Sequence, residues 1–154
     1  ASDFGCKVIY YSASGKTQDV PYEREAFDEF LKKSDIISIH APLNDKTNNL
    51  FNKEAFDKMK TSTVLLNLGR GPIVNDADLT EALEQGKIAA AGLDVLGKEP
   101  IEKDNPLLRI KDSTKLVITT TCSVGTVEAR TRLMDEVYEN IAAFTKGEAR
   151  NAVV

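Results

Sequence analysis

Arg70 lies in LLNLGRGP, between Gly69 and Gly71 and directly after an apolar run. A guanidinium at such a place is rarely needed for packing. Its planar fork can hold a carboxylate through two parallel hydrogen bonds, and the flanking glycines let backbone or ligand approach closely. The competing reading is an arginine paired to a neighbouring acid. Asp94, in GLDV, is a carboxylate within another apolar run. Burying it is costly unless it is hydrogen-bonded, so it either caps backbone or holds a polar ligand group. Glu99, before Pro100, belongs to the acidic loop that follows, where a glutamate is ordinarily just solvated.

Other segments suggest further chemistry. SASGKT, residues 12–17, has the glycine, lysine and threonine of a phosphate loop, but the glycine required five residues before Gly15 is Tyr10, and Pro21 blocks an immediate helix. YYSASGKT also loosely resembles the phosphate loop of flavodoxins, so phosphate or flavin binding there stands as an alternative to a solvated turn. Gly69-Arg70-Gly71 is a G-x-G, but Val74 occupies the place of a third glycine, so it is no pyrophosphate loop. His40, ending SIHAPL, reads as a hydrogen-bonding structural residue or a catalyst. Cys122 follows the last apolar run, where a nucleophile would be well placed, yet no base lies near it in sequence; it reads as a packing residue. With two cysteines and one histidine, neither a disulfide framework nor a zinc cluster is expected.

The elements that must position these residues follow from hydrophobic patterning. KVIYYS, DIISIH, STVLLNLG, IAAAGLDVL and KLVITTT are β-branched or aromatic runs, mostly apolar on both faces, as buried parallel strands are. YEREAFDEFLKKS and NKEAFDKMK carry helical spacing between them. NDADLTEALEQG predicts a helix capped by Asn75 and stopped at Gly86, and a last helix is expected from about Val127 to Lys146, with Leu133, Val137, Ile141 and Phe144 on one stripe. GKEPIEKDNPLLRIKDST reads as an exposed loop. Alternating strands and helices predict an α/β fold, a doubly wound parallel sheet with helices on both faces. In such folds ligands sit beyond the carboxyl ends of the strands.

The 154 residues fit a single domain, and 42% apolar with 29% charged residues is ordinary for a globular protein. A net charge of -4 without a basic run argues against a nucleic-acid partner. No apolar stretch approaches the roughly 20 residues of a membrane span, and ASDFGCK lacks a signal-peptide layout, so a cytoplasmic protein is expected.

Taken together, SDIISIHAPLNDKTNNLFNKEAF, LLNLGRGPIVNDADLTEAL, AAAGLDVLGKEP with NPLL, and VEARTRLMDEVYENIAAFTKGEARNAVV resemble the D-isomer-specific 2-hydroxyacid dehydrogenases. The resemblance covers almost the whole chain in order and spacing. It implies a Rossmann-like domain binding NAD or NADP, a small 2-hydroxy or 2-oxo acid as substrate, and association as a homodimer. Arg70 matches the arginine that binds the substrate carboxylate, Glu99 the acid that orients the catalytic histidine, and Asp94 the residue that holds the nicotinamide carboxamide. Ala41, Pro42, Thr47, Leu68 and Gly69 match positions that line the cofactor. Ser12 stands where an aspartate often grips the adenosine ribose; without that carboxylate, and with Lys16 nearby, NADP is admitted as well as NAD.

The departures matter as much. The family's catalytic histidine falls at Thr121, which cannot act as a general acid-base near neutrality. ASDFG resembles the end of the family's first Rossmann helix, so residues 1–154 read as one truncated cofactor domain without the first strand, its G-x-G-x-x-G turn and the substrate domain. Weak or lost cofactor binding and an inactive chain are the expectation, with a truncated or engineered non-catalytic α/β scaffold as the alternative. If the gap left by the absent strand closes, KVIYYS pairs directly with STVLLNLG and the five-stranded order becomes 2-1-3-4-5, the flavodoxin-like arrangement.

Overall fold

The computed structural model describes residues 1–119 and 125–152. The chain falls into two compact units, Ala1–Thr119 and Thr120–Val154. The first unit holds two parallel sheets, and the α/β class expected from the sequence is the one observed. β1 (Ile9–Tyr10) pairs with β2 (Glu23–Arg24), while β3 (Ile36–Ile39), β4 (Val64–Asn67), β5 (Ala90–Leu93) and β6 (Leu116–Ile118) form a four-stranded sheet in that order.

The direct pairing of KVIYYS with STVLLNLG does not occur. DIISIH, as β3, is the neighbour of β4, in register Ile37↔Leu65 and Ile39↔Asn67. KVIYYS instead takes a strand not anticipated from the sequence, Glu23–Arg24, which the periodicity had placed at the start of a helix. That helix, α1, begins later and spans Phe27–Lys33. Side-chain packing explains why the gap stays open. Tyr11, just after β1, packs at a tilt against Phe27 with ring centroids 4.8 Å apart, and Phe27 meets Phe51 edge-on at 5.7 Å. Leu31 of α1 is fully buried, Lys58 bonds Asp28, and Lys60 reaches both the Lys33 carbonyl and Asp35. Moving β1 sideways by one strand spacing, about 4.8 Å, would break the contact of Tyr11 with Phe27.

The core lies on one face of the four-stranded sheet. Ile37, Ile39, Leu65, Ala91 and Leu93 point into it, and it is closed by Leu31, by Ala55 and Phe56 of α2 (Lys53–Lys58), and by Leu79, Ala82 and Leu83 of α3 (Asp76–Glu84). The cap and stop expected for α3 are observed, and α2 is capped in the same way. The Asn52 side chain accepts from the Ala55 N–H, Asn75 accepts from those of Ala77 and Asp78, and Gly86 has a φ of 69°, the left-handed conformation suited to glycine. The charged connection 97–114 is more ordered than expected. A 3-10 turn, Pro106–Arg109, inserts Leu107 into the core, and Asn105 donates to Asp76 at 2.8 Å.

In the second unit α4 runs over Val127–Thr145, capped by the Thr126 hydroxyl on the Ala129 N–H and followed by Gly147 with φ 74°. Its expected stripe, Leu133, Val137, Ile141 and Phe144, is exposed. Among the described residues no helix is long and apolar enough to cross a membrane.

Two outcomes test this packing. Leu65→Ala, at a fully buried site, should lower the unfolding free energy by about 2–5 kcal/mol, whereas Ile36→Ala, on the open face, should change it by less than about 1 kcal/mol in the same urea titration. In α4, a hydrogen bond from its own backbone N–H and another from Thr126 hold the Glu128 carboxyl below the usual glutamate range. A carboxyl depressed on folding adds stability above its unfolded pKa and loses it as pH falls through the folded one. Helical carbon shifts of residues 127–130 should therefore decline as pH drops below about 4.3; an increase in helicity there would contradict the cap.

Candidate functional site

The sheet's carboxyl end is stitched together at Asn67. This side chain is fully buried at the end of β4. Its Nδ2–H donates to the Arg70 carbonyl at 3.0 Å, and its Oδ1 accepts the Gly69 N–H at 3.1 Å. The backbone around it joins both neighbouring strands: the Asp94 N–H donates to the Asn67 carbonyl at 3.0 Å, and the Leu68 N–H to that of Ile39 at 3.2 Å. Close approaches lock the same turn from outside. A Cβ on Gly69 would stand 2.9 Å from the Ala41 carbonyl oxygen, and one on Gly71 only 2.0 Å from the backbone of Leu96. The loops after β3, β4 and β5 thus touch through positions that admit only glycine.

Arg70 projects from this turn. It is exposed, and its Nη1–H donates to the Gly69 carbonyl at 2.9 Å. Among the described residues the arginine ion pairs are Arg109–Glu84 and Arg150–Glu136, so Arg70 has no carboxylate partner there. Of the two readings of this residue, pairing to a neighbouring acid therefore has no support within the described residues. Asp94 follows β5, beside the end of β4, and its Oδ1 accepts the Thr119 hydroxyl at 2.6 Å. An apolar groove of about 330 Å³ runs along the open sheet face past Val64, Leu66, Leu68 and Val117, with Asp94 and Thr119 at its end.

The other candidates divide. Ala41 and Leu68 join Gly69, Arg70 and Asp94 at the strand ends, and Pro42 is exposed on the loop after β3. Thr47 is fully buried; its hydroxyl donates to the Pro42 carbonyl at 2.7 Å and accepts the Asn44 N–H at 2.9 Å, so it shapes that loop from within. Glu99 is exposed, and its Oε1 accepts the Leu96 N–H at 3.0 Å, closing the loop against which Gly71 packs. His40 shares a hydrogen bond with the Ser38 hydroxyl at 2.8 Å. Ser12 belongs to the loop after β1, in the other sheet. Its hydroxyl meets that of Ser14 at 3.0 Å, and the chain continues to β2 without a helix start of the kind phosphate loops use. Thr121 and Cys122 lie outside the described residues. Among those described, no group of histidine, cysteine or acidic side chains is arranged to hold a metal. Asn67 was not singled out from the sequence. Its signal was there, an amide two positions from the inward Leu65 in an otherwise apolar strand.

A parallel α/β unit presenting an arginine and an aspartate beyond adjacent strand ends has them where such folds bind their ligands. The chain belongs to the D-isomer specific 2-hydroxyacid dehydrogenases: residues 1–120 match their NAD binding domain. It is 41% identical over 155 aligned residues to the hydroxypyruvate reductase of Blautia hydrogenotrophica, covering 99% of this chain and 47% of that protein. D-lactate dehydrogenase of Lactobacillus jensenii, solved with NAD+, superposes with a TM-score of 0.83 at 30% identity, over 99% of this chain and 49% of its own. An acyclic imino acid reductase solved with NADPH and D-Arg gives 0.81 at 31% identity, covering 99% of this chain and 48% of its own. The chain thus spans about half the length of the relatives it matches.

The interlocked loops make glycine at position 71 a steric requirement. Gly71→Ala should destabilise the chain by at least about 1–3 kcal/mol. Gly97→Ala, where an added Cβ meets only the Asp76 carboxylate at 3.9 Å, should be near neutral in the same thermal unfolding measurement.

Proposed function

We propose that this chain forms the nicotinamide-facing part of the cofactor site in an NAD- or NADP-dependent oxidoreductase acting on small 2-hydroxy or 2-oxo acids. The observation that carries the reading is the Arg70 guanidinium, exposed at the end of a buried strand with no acidic partner among the described residues. It suits a carboxylate, which it can grip through two N–H donors while polarising an adjacent carbonyl.

The residues present also fit the cofactor. The groove offers apolar side chains to a flat ring, and at its end the Asp94 carboxylate, held by the Thr119 hydroxyl, can accept an N–H from a carboxamide. Bound nicotinamide would supply the hydride acceptor or donor; Arg70 would orient the acid and Asp94 the ring. Ser12 offers a ribose no carboxylate, which leaves both NAD and NADP acceptable.

Turnover also needs a group that moves a proton to or from the substrate oxygen, worth about 10²- to 10⁴-fold in rate. Threonine at position 121 cannot do this, because an alcohol does not titrate near neutrality. The Glu99 carboxylate accepts the Leu96 N–H of its own loop. With threonine at position 121, no reduction of a 2-oxo acid is expected.

Fluorescence titration with NADH, NADPH and FMN tests this. Saturable binding of NADH or NADPH, weakened at least about tenfold by Asp94→Ala and unaccompanied by FMN binding, is the expected result. FMN binding alone would favour the loop at Ser12–Thr17, and silence with all three would mark a scaffold without a ligand.

A further inference from the structure

We infer that Asn67 is a positioning residue for Arg70: its side-chain amide fixes the turn from which the guanidinium projects, and so sets the carboxylate-binding geometry. The inference rests on the reading of Arg70 as a carboxylate-binding group.

A buried amide must have its polar atoms satisfied, and Asn67 satisfies two of them within one short turn. The Gly69 N–H and the Arg70 carbonyl bracket the peptide bond that joins those residues. Holding both ends fixes the orientation of that peptide plane. The same plane carries the Gly69 carbonyl, which accepts the Arg70 Nη1–H at 2.9 Å. A chain of three hydrogen bonds therefore leads from a fully buried side chain on β4 to the exposed guanidinium. The turn has no slack for another arrangement, because Gly69 already lies against the Ala41 carbonyl and Gly71 against Leu96. Asn67 does not itself reach solvent, so its influence on a ligand runs only through Arg70 and the turn.

The test uses the full chain labelled with ¹⁵N, NADH as nucleotide, and oxalate as a planar carboxylate probe added in the presence of NADH. In the wild-type protein the Asn67 side-chain N–H signals should exchange slowly with solvent. Exchange as fast as that of exposed amides would overturn the inference without any variant. Asn67→Ala should speed Gly69 amide exchange at least tenfold, shift the Arg70 Nε–H signal, and weaken oxalate at least tenfold and several-fold more than it weakens NADH. Asn67→Asp keeps an acceptor for the Gly69 N–H and loses the donor to Arg70; it should retain Gly69 protection and show an intermediate loss of oxalate. Unchanged Gly69 and Arg70 signals in folded Asn67→Ala, or equal losses of NADH and oxalate, would reduce Asn67 to a purely structural residue. Should the alanine variant fail to fold, the wild-type exchange and the aspartate variant decide. If wild-type protein bound neither NADH nor oxalate, the proposed function would fail, while the Gly69 and Arg70 signals would still decide the role of Asn67.

Discussion

The polar end of this sheet depends on one buried amide. Asn67 is fully buried, and its two hydrogen bonds run back to its own turn, to the Gly69 N–H and the Arg70 carbonyl. Each such bond stabilises by about 1 kcal/mol net, while leaving the buried partner unsatisfied costs about 1–3 kcal/mol. The turn therefore has one good conformation. The glycines at 69 and 71 extend the constraint outward, since each lets a neighbouring loop come closer than a Cβ would allow. Loops from three strands are thereby held as one surface, with Arg70 directed out of it.

This surface is rigid because the layers beneath it are. β3, β4 and β5 pair in continuous parallel register, and their inward residues share one cluster with α1, α2 and α3. Even the charged loop after β5 is anchored, by Leu107 in the core and by the Asn105–Asp76 hydrogen bond. The site thus combines loop residues, free to carry chemistry, with a backbone fixed by packing. Such fixing matters for an arginine, whose bidentate grip on a carboxylate tolerates little angular error.

Much of this was legible in the residues. The cap at Asn75, the stop at Gly86 and the extent of α4 follow from short-range rules, because each depends on a side chain and backbone groups a few residues away. Arg70 and Asp94 stood out as charges in apolar runs, and both are found beyond the ends of adjacent strands. What failed was pairing. Glu23–Arg24 is a two-residue, fully exposed strand with no apolar alternation, so only its partner β1 defines it. The gap between the sheets is kept by tertiary contacts of Tyr11 and Phe27 that no local pattern encodes. Asn67 escaped notice for a related reason: an amide in a strand gains meaning only once its burial and its partners are known. The expectation that Thr121 stands at the family's histidine position rests on spacing alone and falls outside the described residues.

The account's central claim is that the interlocked ends of β3, β4 and β5 form a nicotinamide-nucleotide site. A map of backbone amide shifts on adding NADH tests it most directly. The predicted result is a saturable set of changes confined to Ala41, Leu68 to Arg70, Asp94 and Thr119. Saturable changes centred instead on Ser12 to Thr17, or none at millimolar NADH, would contradict it.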